Sequence, residues 1–118
     1  PEEKIEYFEI RNSKNRLVFK VNLDEIIQFE ANDNYCVTHF LDDEENYKKS
    51  MDRISLKAVN DQISSKSESF FRVHKSHIIN TKYLDKIGGK AQAHRLTLKH
   101  IESEVPVSRS FDINLLER

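Results

Sequence analysis

The stretch FFRVHKSHIINTKYL, residues 70–84, is the part of this sequence from which the fold and the function are best inferred. Two aromatic residues lead into a dense series of cationic, imidazole and hydroxyl side chains, and the apolar pair Ile78 and Ile79 follows. Apolar anchors on both sides predict that the polar residues project from a short turn. Such a turn can belong to a metal site, a catalytic His/Ser pair, a nucleic-acid contact loop or an ordinary surface.

Length and composition fit one folded domain. The chain has 118 residues, of which 37% are hydrophobic and seven are Phe, which is enough for a core without disulfides or metal. A single cysteine, Cys36, excludes an internal disulfide and favours a reducing, cytoplasmic setting. No apolar run approaches the roughly 20 residues of a membrane span, so no membrane contact is expected. Because the chain opens on Pro1, we expect residues 1–118 to be the C-terminal domain of a longer protein.

Charge is unevenly distributed along the chain, although the net charge is only −1. Residues 1–65 hold nine Lys/Arg and fourteen Asp/Glu, a net charge of −5, whereas residues 66–110 hold nine Lys/Arg and four Asp/Glu, a net charge of +5. Four of the five histidines also lie in the basic half. Such asymmetry arises by chance on many surfaces, but it is also what a nucleic-acid-binding face requires.

Most of the chain is predicted to form short strands. β-Branched and aromatic runs alternate with turn-forming stretches: NSKN at 12–15, NDN at 32–34, DDEE at 42–45 and a glycine pair at 88–89. Pro106 lacks an N–H and therefore belongs at an edge or a strand end. Strands that follow one another through short turns predict antiparallel pairing.

Two helices are predicted. Apolar residues recur at helical spacing over residues 55–63, and a second short helix covers residues 110–118, with Ser108 or Ser110 as its N-cap. The predicted fold class is mainly β, with small antiparallel sheets and one or two short helices.

A metal site and an enzyme active site are both disfavoured. His74 and His77 form an H-x-x-H, but on a strand this odd separation points the two rings to opposite faces. No carboxylate stands at ligand spacing, and one cysteine is too few for a typical structural zinc site. The serines lie in no G-x-S-x-G elbow, and two glycines cannot build a phosphate loop. We predict no catalytic residue and no cofactor.

Nucleic-acid contact agrees better with the composition of the basic half. The one clear helix carries Lys57 and Asp61 around an apolar face, so it supports the core and is not a recognition helix. Any DNA contact would then come from loops between strands. The cations available to displace counterions from phosphates are Arg72, Lys75, Lys82, Lys86, Lys90, Arg95, Lys99 and Arg109.

Three motifs resemble one family, the LytTR domain, which is the LytR/AlgR-type DNA-binding output module of bacterial regulators. FFRVHKSHIINTKYL resembles its central signature, DEIIQFEANDNYCVTHF resembles its strand–loop–strand segment, and EVPVSRSF resembles its closing I-P-V-S-R-S. The motifs occur in the family's order and cover nearly the whole chain. The resemblance implies a LytTR-like β-β-β fold whose edge loops enter successive major grooves and bend the DNA.

The resemblance also implies which residues contact DNA. The first loop supplies Asn32, Asn34 and Tyr35, the second His74, Lys75 and Ser76, and the third Ser108 and Arg109, with Lys82 as a further phosphate contact. Lys75 and Arg109 fall at base-contacting positions. His74 is either a base contact or a structural histidine, and Tyr35 is either a contact or packing. The acidic stretch at 42–45 must point away from DNA.

The sequence therefore predicts the output domain of a bacterial transcriptional regulator of the two-component response-regulator type. Its expected partners are double-stranded DNA with direct-repeat promoter sites, a second copy bound to the adjacent half-site, and an upstream receiver or sensory domain. The alternative, motivated by the near-neutral net charge, is a protein-interaction or ligand-sensing β-domain that has lost DNA binding.

Overall fold

The computed structural model describes residues 5–90 and 93–116, which are mainly strands. The strands are β1 (Tyr7–Arg11), β2 (Leu17–Asn22), β3 (Ile26–Asn32), β4 (Tyr35–Leu41), β5 (Tyr47–Asp52), β6 (Phe70–His74), β7 (His77–Asn80), β8 (Leu84–Lys90), β9 (Ala93–Leu98) and β10 (Val105–Pro106). The helices are α1 (Leu56–Ile63) and the short 3-10 helices Leu23–Glu25, Thr81–Tyr83 and Ile113–Leu116. None of these described helices is long and apolar enough to cross a membrane. The predicted fold class, mainly β with short helices, is confirmed.

The strands form three antiparallel sheets. The largest has five strands in the order β5-β4-β3-β7-β6, a second has the order β10-β9-β8, and β1 and β2 form a hairpin. The predicted antiparallel pairing is confirmed. Neighbour order does not simply follow the sequence, because β7 pairs with β3 although β4, β5, α1 and β6 lie between them in the chain.

The inner strands of the five-stranded sheet carry buried residues on both faces, and the sheet separates two hydrophobic cores. Successive side chains on a strand point to opposite faces, so Ile78 packs with residues of α1, β1 and β2, whereas Ile79 packs with residues of β9 and β10. Both isoleucines are fully buried, and each such burial stabilises the fold by roughly 1.5–3 kcal/mol. The apolar pair of the opening stretch therefore anchors β7 to both cores.

Helix α1 begins and ends where the sequence predicts. Ser55 is the N-cap, and its Oγ accepts a hydrogen bond from the Ala58 backbone N–H at 3.1 Å. The apolar face is buried against the sheet, while Lys57 and Asp61 form an exposed ion pair at 3.0 Å. The helix supports one core and presents no cationic face.

The structure corrects the predictions for the glycine pair and for the cap of the last helix, and it confirms the prediction for Pro106. Gly88 and Gly89 lie within β8, where pairing with β9 extends the strand, and Gly89 adopts a left-handed φ of 86°. The last described helix is preceded by Asp112, whose carboxylate accepts from the Asn114 N–H at 3.1 Å, so neither predicted serine caps it. Pro106 lies in β10 at the edge of its sheet, as predicted.

Candidate nucleic-acid interface

The β6–β7 turn consists of Lys75 and Ser76. His74 and His77 face each other across this hairpin as Cα partners, and their ring centroids lie 5.6 Å apart. The inference that strand parity separates these rings was wrong, because the chain reverses between them. The Ser76 N–H donates to His74 Nδ1 at 3.1 Å, and Arg72 Nη2 donates to the Lys75 carbonyl at 2.8 Å. These two bonds stabilise the turn and leave the Lys75 side chain exposed.

The β3–β4 turn is equally tight. Asn32 and Tyr35 pair across it, and Asp33 takes a left-handed φ of 55°, which Asp tolerates better than most residues. The side chains of Asn32, Asn34 and Tyr35 are all exposed. Tyr35 is 42% exposed, so its ring remains available for contact with a ligand.

These two turns lie side by side at one end of the five-stranded sheet, which we call the tip end (residues 32–35 and 74–77). Strand β3 pairs with β7 in antiparallel register, with Glu30 opposite His77. Beyond that pair, the Ala31 N–H donates to the Ser76 carbonyl at 2.9 Å. A backbone hydrogen bond therefore ties one turn directly to the other.

The third predicted loop reaches the same place. The Ser108 N–H donates to the Val73 carbonyl at 2.7 Å, and the Val107 N–H donates to the His94 carbonyl at 3.2 Å. Ser108 is partly buried, and its Oγ is 3.0 Å from that of Ser110. Arg109 is exposed. All eight predicted contact residues in the three loops are thus at or beside the tip end.

A groove of about 480 Å³ runs between the β6–β7 turn and the third loop, and we call it the contact groove. It is lined by His74, Lys75, Ala93, His94, Arg95, Pro106, Val107, Ser108 and Arg109. Three of these residues are cations. Within residues 5–90 and 93–116, no carboxylate pairs with Lys75, Arg95 or Arg109. The contact groove therefore gathers three cations without an ion-pair partner among the described residues, an arrangement that favours an anionic ligand.

Arg95 was predicted only as part of the general positive charge. Its place in the contact groove depends on β9 pairing with β10, where Arg95 stands opposite Pro106. No local signal in the sequence reports that pairing. The strand order had to be known first.

Lys82 is not brought together with the other predicted residues. It lies where β7 ends and β3 begins, which we call the far end (residues 22–26 and 80–84). Lys82 Nζ donates to the Asp24 carbonyl at 3.1 Å, and Tyr83 Oη donates to the same carbonyl at 2.9 Å. Since β3 has seven residues, the far end is roughly 20 Å from the tip end.

Asn80, the last residue of β7, has a structural role. It is only 2% exposed, and its Nδ2 donates to the Ile26 carbonyl at 2.8 Å while its Oδ1 accepts from the Lys82 N–H at 3.0 Å. The acidic turn at 42–45 follows the end of β4 that is remote from the tip end. This agrees with the expectation that it points away from DNA.

A second polar cluster lies on one face of the sheet. His39 Nε2 is 3.0 Å from Glu30 Oε1, and its Nδ1 bonds the hydroxyl of Tyr47. Burial lowers the pKa of His39 and, with smaller contributions from neighbouring histidines, that of His77. Among the described residues, no three His, Cys, Asp or Glu side chains are positioned to hold a metal ion. Burial also raises the pKa of the Cys36 thiol to about 12, so this cysteine is not a reactive thiolate.

Comparisons with known proteins identify a family and a solved structure that resemble this chain. No curated protein matches the chain. Among solved structures, one similar chain is described as the LytTr DNA-binding domain of a proposed methyl-accepting/DNA response regulator from Bacillus cereus. It shares 22% identity, the match covers 98% of this chain and 96% of that chain, and the TM-score is 0.65. This likeness shows a shared fold. The model of the LytTr DNA-binding domain family matches residues 16–117. The chain therefore belongs to the LytTr DNA-binding domain family.

Proposed function

We propose that this domain binds specific sequences of double-stranded DNA through the loops of its tip end, as the output domain of a bacterial transcriptional regulator. The observation that carries the proposal is a groove between the β6–β7 turn and the third loop that holds three cations with no carboxylate partner among the described residues, and a backbone hydrogen bond ties the β3–β4 turn to the same turn. Unpaired cations displace counterions from phosphates, and the resulting attraction to DNA is independent of base sequence.

Sequence specificity would come from the exposed ends of the loops. Lys75 and Arg109 are exposed cations of the type that donates to the O6 and N7 of guanine in the major groove. Asn32 and Asn34 are exposed amides of the type that binds adenine or phosphate. His74 has a different role, because its Nδ1 accepts from the Ser76 N–H and so shapes the turn. It positions Lys75 and leaves only its remaining nitrogen for DNA.

The regulatory context is part of the same proposal. The domain would act in the cytoplasm below a receiver or sensory domain of a longer chain. Two copies would occupy direct repeats on one face of the duplex, so half-site centres would be separated by about one helical turn or a multiple of it. Neither a cofactor nor a catalytic residue enters this function.

The test begins by enriching bound sequences from a random duplex library, followed by fluorescence anisotropy on the enriched site. Arg109→Ala and Lys75→Ala should each weaken binding to that site by roughly 5- to 150-fold, which corresponds to about 1–3 kcal/mol. The matched control is Lys99→Ala. Lys99 is an exposed cation that directly follows β9, and its N–H donates to the Tyr83 carbonyl. Wild-type affinity in both tip-end variants, or no enrichment at all, would contradict the proposal.

The net charge of −1 favours a second candidate function. In this alternative the chain is a β-domain that binds protein or ligand and has lost DNA binding. Binding to random duplex at low salt discriminates between the two. A DNA-binding domain binds measurably and weakens steeply as salt rises, whereas an interaction domain shows neither property.

A further inference from the structure

A second cavity, of about 430 Å³, lies between the five-stranded sheet and the segment that leads from β9 into β10, and we call it the sheet cavity. Ligand pockets in proteins commonly have volumes of about 300–1,000 Å³, so this one can hold a small molecule. Residues 100–105 line one side. The floor consists of side chains of β3, β4, β5 and β7, namely Gln28, Glu30, His39, Tyr47, Lys49 and His77.

The strand register places the floor side chains on one face of the sheet. Directly paired residues of neighbouring antiparallel strands point to the same face, and His39 is paired with Gln28 on one side and with Lys49 on the other. Glu30 is paired with His77 and lies two residues after Gln28, so both share that face. The irregularity in the β3–β4 register lies before Gln28 and leaves this alternation intact.

Gln28 has an unused hydrogen-bond donor. The residue is only 3% exposed, and its side chain makes one long contact within the described part of the chain, 3.4 Å from Oε1 to His77 Nδ1. Its amide nitrogen, Nε2, has no partner among the described residues, and unlike Nδ1 of His94 it is not enclosed by protein atoms. This nitrogen therefore faces the sheet cavity. Because buried polar groups nearly always have a partner, we expect an acceptor to be bound there.

Glu30 supplies a carboxylate that is oriented but not neutralised. A carboxylate only accepts hydrogen bonds, so His39 Nε2 donates to Glu30 Oε1 at 3.0 Å, and His39 Nδ1 accepts from the Tyr47 hydroxyl. Burial lowers the pKa of His39, so its ring is neutral near pH 7 and does not cancel the charge of Glu30. Glu30 Oε2 has no hydrogen-bond partner among the described residues and can accept from a ligand.

Lys49 brings the opposite charge to the other side of His39. It is exposed, and no carboxylate within residues 5–90 and 93–116 pairs with it. Since β4 lies between β3 and β5, the Cα atoms of Gln28 and Lys49 are two strand spacings apart, about 10 Å. Glu30 and Lys49 therefore form no ion pair with each other, and a ligand that carries both charges can contact both.

The segment at 100–105 adds negative charge at the mouth of the sheet cavity. Glu102 and Glu104 are exposed, and neither has a cationic partner in the described part of the chain. Carboxylates thus outnumber ammonium groups in the lining by three to one, which favours a ligand of positive net charge. A metal ion is not favoured, because no three His, Cys, Asp or Glu side chains of the described residues are positioned to hold one.

We propose that the sheet cavity binds a free α-amino acid with a cationic side chain. The α-ammonium group donates to Glu30, and the α-carboxylate accepts from Gln28 Nε2 and Lys49. The side-chain cation lies near Glu102 and Glu104 at the mouth. This inference does not rest on DNA binding, because none of these residues lines the contact groove.

The test is a titration of the ¹⁵N-labelled domain with L-arginine, followed by NMR and by thermal unfolding. Saturable shifts at Gln28, Glu30 and Lys49 and a raised melting temperature are expected. Three analogues test the contacts one at a time: agmatine lacks the carboxylate, Nα-acetyl-L-arginine lacks the ammonium charge, and L-citrulline lacks the side-chain charge. Each should bind at least about 10-fold more weakly, the factor expected when one charge-assisted hydrogen bond is lost.

Substitutions test the same contacts from the protein side. Glu30→Gln, Lys49→Gln and Gln28→Leu should each weaken binding of L-arginine by about 10-fold or more. The matched controls are Glu68→Gln and Lys48→Gln, which remove exposed charges outside the sheet cavity and should leave the affinity unchanged. Lys48 is the sharper control, because its side chain points to the opposite face of β5 from that of Lys49. Thermal unfolding shows that each variant is folded, and the exposed Lys49 keeps the test decisive if Gln28→Leu is not.

Three outcomes would overturn the inference. The absence of any saturable response to L-arginine or L-lysine would mean that only water fills the sheet cavity. Equal affinity for agmatine and L-arginine would reduce the site to a general contact for cations. Wild-type affinity in both Glu30→Gln and Lys49→Gln would place the ligand elsewhere. Each of these results leaves the proposed function intact, because the titrations contain no DNA.

Discussion

The tip end and the far end of the five-stranded sheet carry similar polar side chains in opposite circumstances. At the far end, Asn80, Lys82 and Tyr83 all bond to backbone carbonyls or N–H groups of neighbouring segments. At the tip end, Lys75 and Arg109 are exposed, and no carboxylate of the described residues pairs with either. A lysine at one end thus completes the protein's own hydrogen bonding, and a lysine at the other end remains available to a partner.

This difference shows why residue type alone does not identify a site. Asparagine, lysine and aromatic residues occur at both ends, and only their partners differ. A polar group that is already bonded within the protein contributes mainly to stability, while an unpaired one contributes mainly to binding. Substitutions at the two ends should therefore separate into stability effects and binding effects.

The largest expected effect is at the far end. Asn80→Ala removes both side-chain bonds of a buried residue and leaves the Ile26 carbonyl without that partner, so it should reduce the free energy of unfolding by about 2–3 kcal/mol. Urea denaturation measures this loss, and the folded fraction should bind duplex like wild type. The matched change at the tip end, Asn34→Ala, should alter stability by less than about 0.5 kcal/mol and weaken DNA binding. The reverse pattern would contradict the division between the two ends.

The next effect concerns the paired strands β8 and β9, of which β9 contributes Ala93, His94 and Arg95 to the contact groove. A Cβ on Gly89 would collide with the Ala93 carbonyl oxygen, and the φ of 86° is unfavourable for any residue with a side chain. Gly89→Ala should therefore cost about 1–3 kcal/mol of stability. The control is Gly88→Ala, whose Cβ would meet nothing closer than 3.8 Å and should be tolerated. Equal unfolding midpoints for the two variants would show that this backbone is not constrained.

A smaller effect depends on pH. Burial lowers the folded-state pKa of His39 and His77 below their ordinary value, so the folded state favours the neutral rings. The stabilisation is present above the unfolded pKa of about 6.5 and is lost as pH falls through the lower, folded pKa. The groups that face these rings are Glu30, Tyr47, Lys49, Gln28 and His74. The melting temperature should fall as the pH is lowered from about 7.5 to 5. His39→Gln should reduce that fall. If this variant keeps the wild-type pH dependence, groups other than His39 cause the effect.

The smallest effect is expected for Lys82→Ala. Its Nζ bonds one carbonyl at an exposed position, so stability should change by less than about 0.5 kcal/mol. Salt titration of DNA binding should give the wild-type slope, in contrast to Lys75→Ala. A reduced slope for Lys82→Ala would support the phosphate contact predicted for this residue and would extend the interface to the far end.

Much of the fold could be predicted because its signals are local. The helix over 55–63, the turns at 12–15, 32–34 and 42–45 and the edge position of Pro106 follow from spacing, capping and turn chemistry. The apolar pair Ile78 and Ile79 also indicated a buried anchor. These features depend on neighbours within a few residues, which a single sequence contains.

The rest depends on partners distant in the chain. Asn80 bonds a carbonyl 54 residues away, and Lys82 bonds one 58 residues away, so no local pattern shows that each has a hydrogen-bond partner within the protein. The relation between His74 and His77 was misjudged because strand parity assumes a continuous strand, whereas the chain turns at Lys75. Arg95 was not predicted to line the contact groove, because its place there follows from the pairing of β9 with β10, which no local pattern shows.

The hydrogen bonds that join the loops have a mechanical consequence. The Ala31–Ser76 and Ser108–Val73 bonds link all three loops to the same sheet, so the loops cannot change their separation independently. If the tip-end loops bind DNA as proposed, their spacing would be fixed by the sheet, and the duplex would have to adjust its own twist and curvature to fit. Base pairs between the contacted positions would influence affinity through their stiffness although no side chain touches them. Base-pair changes that stiffen the duplex at these positions should then lower the affinity although no contact is lost, and binding titrations on such duplexes measure this effect.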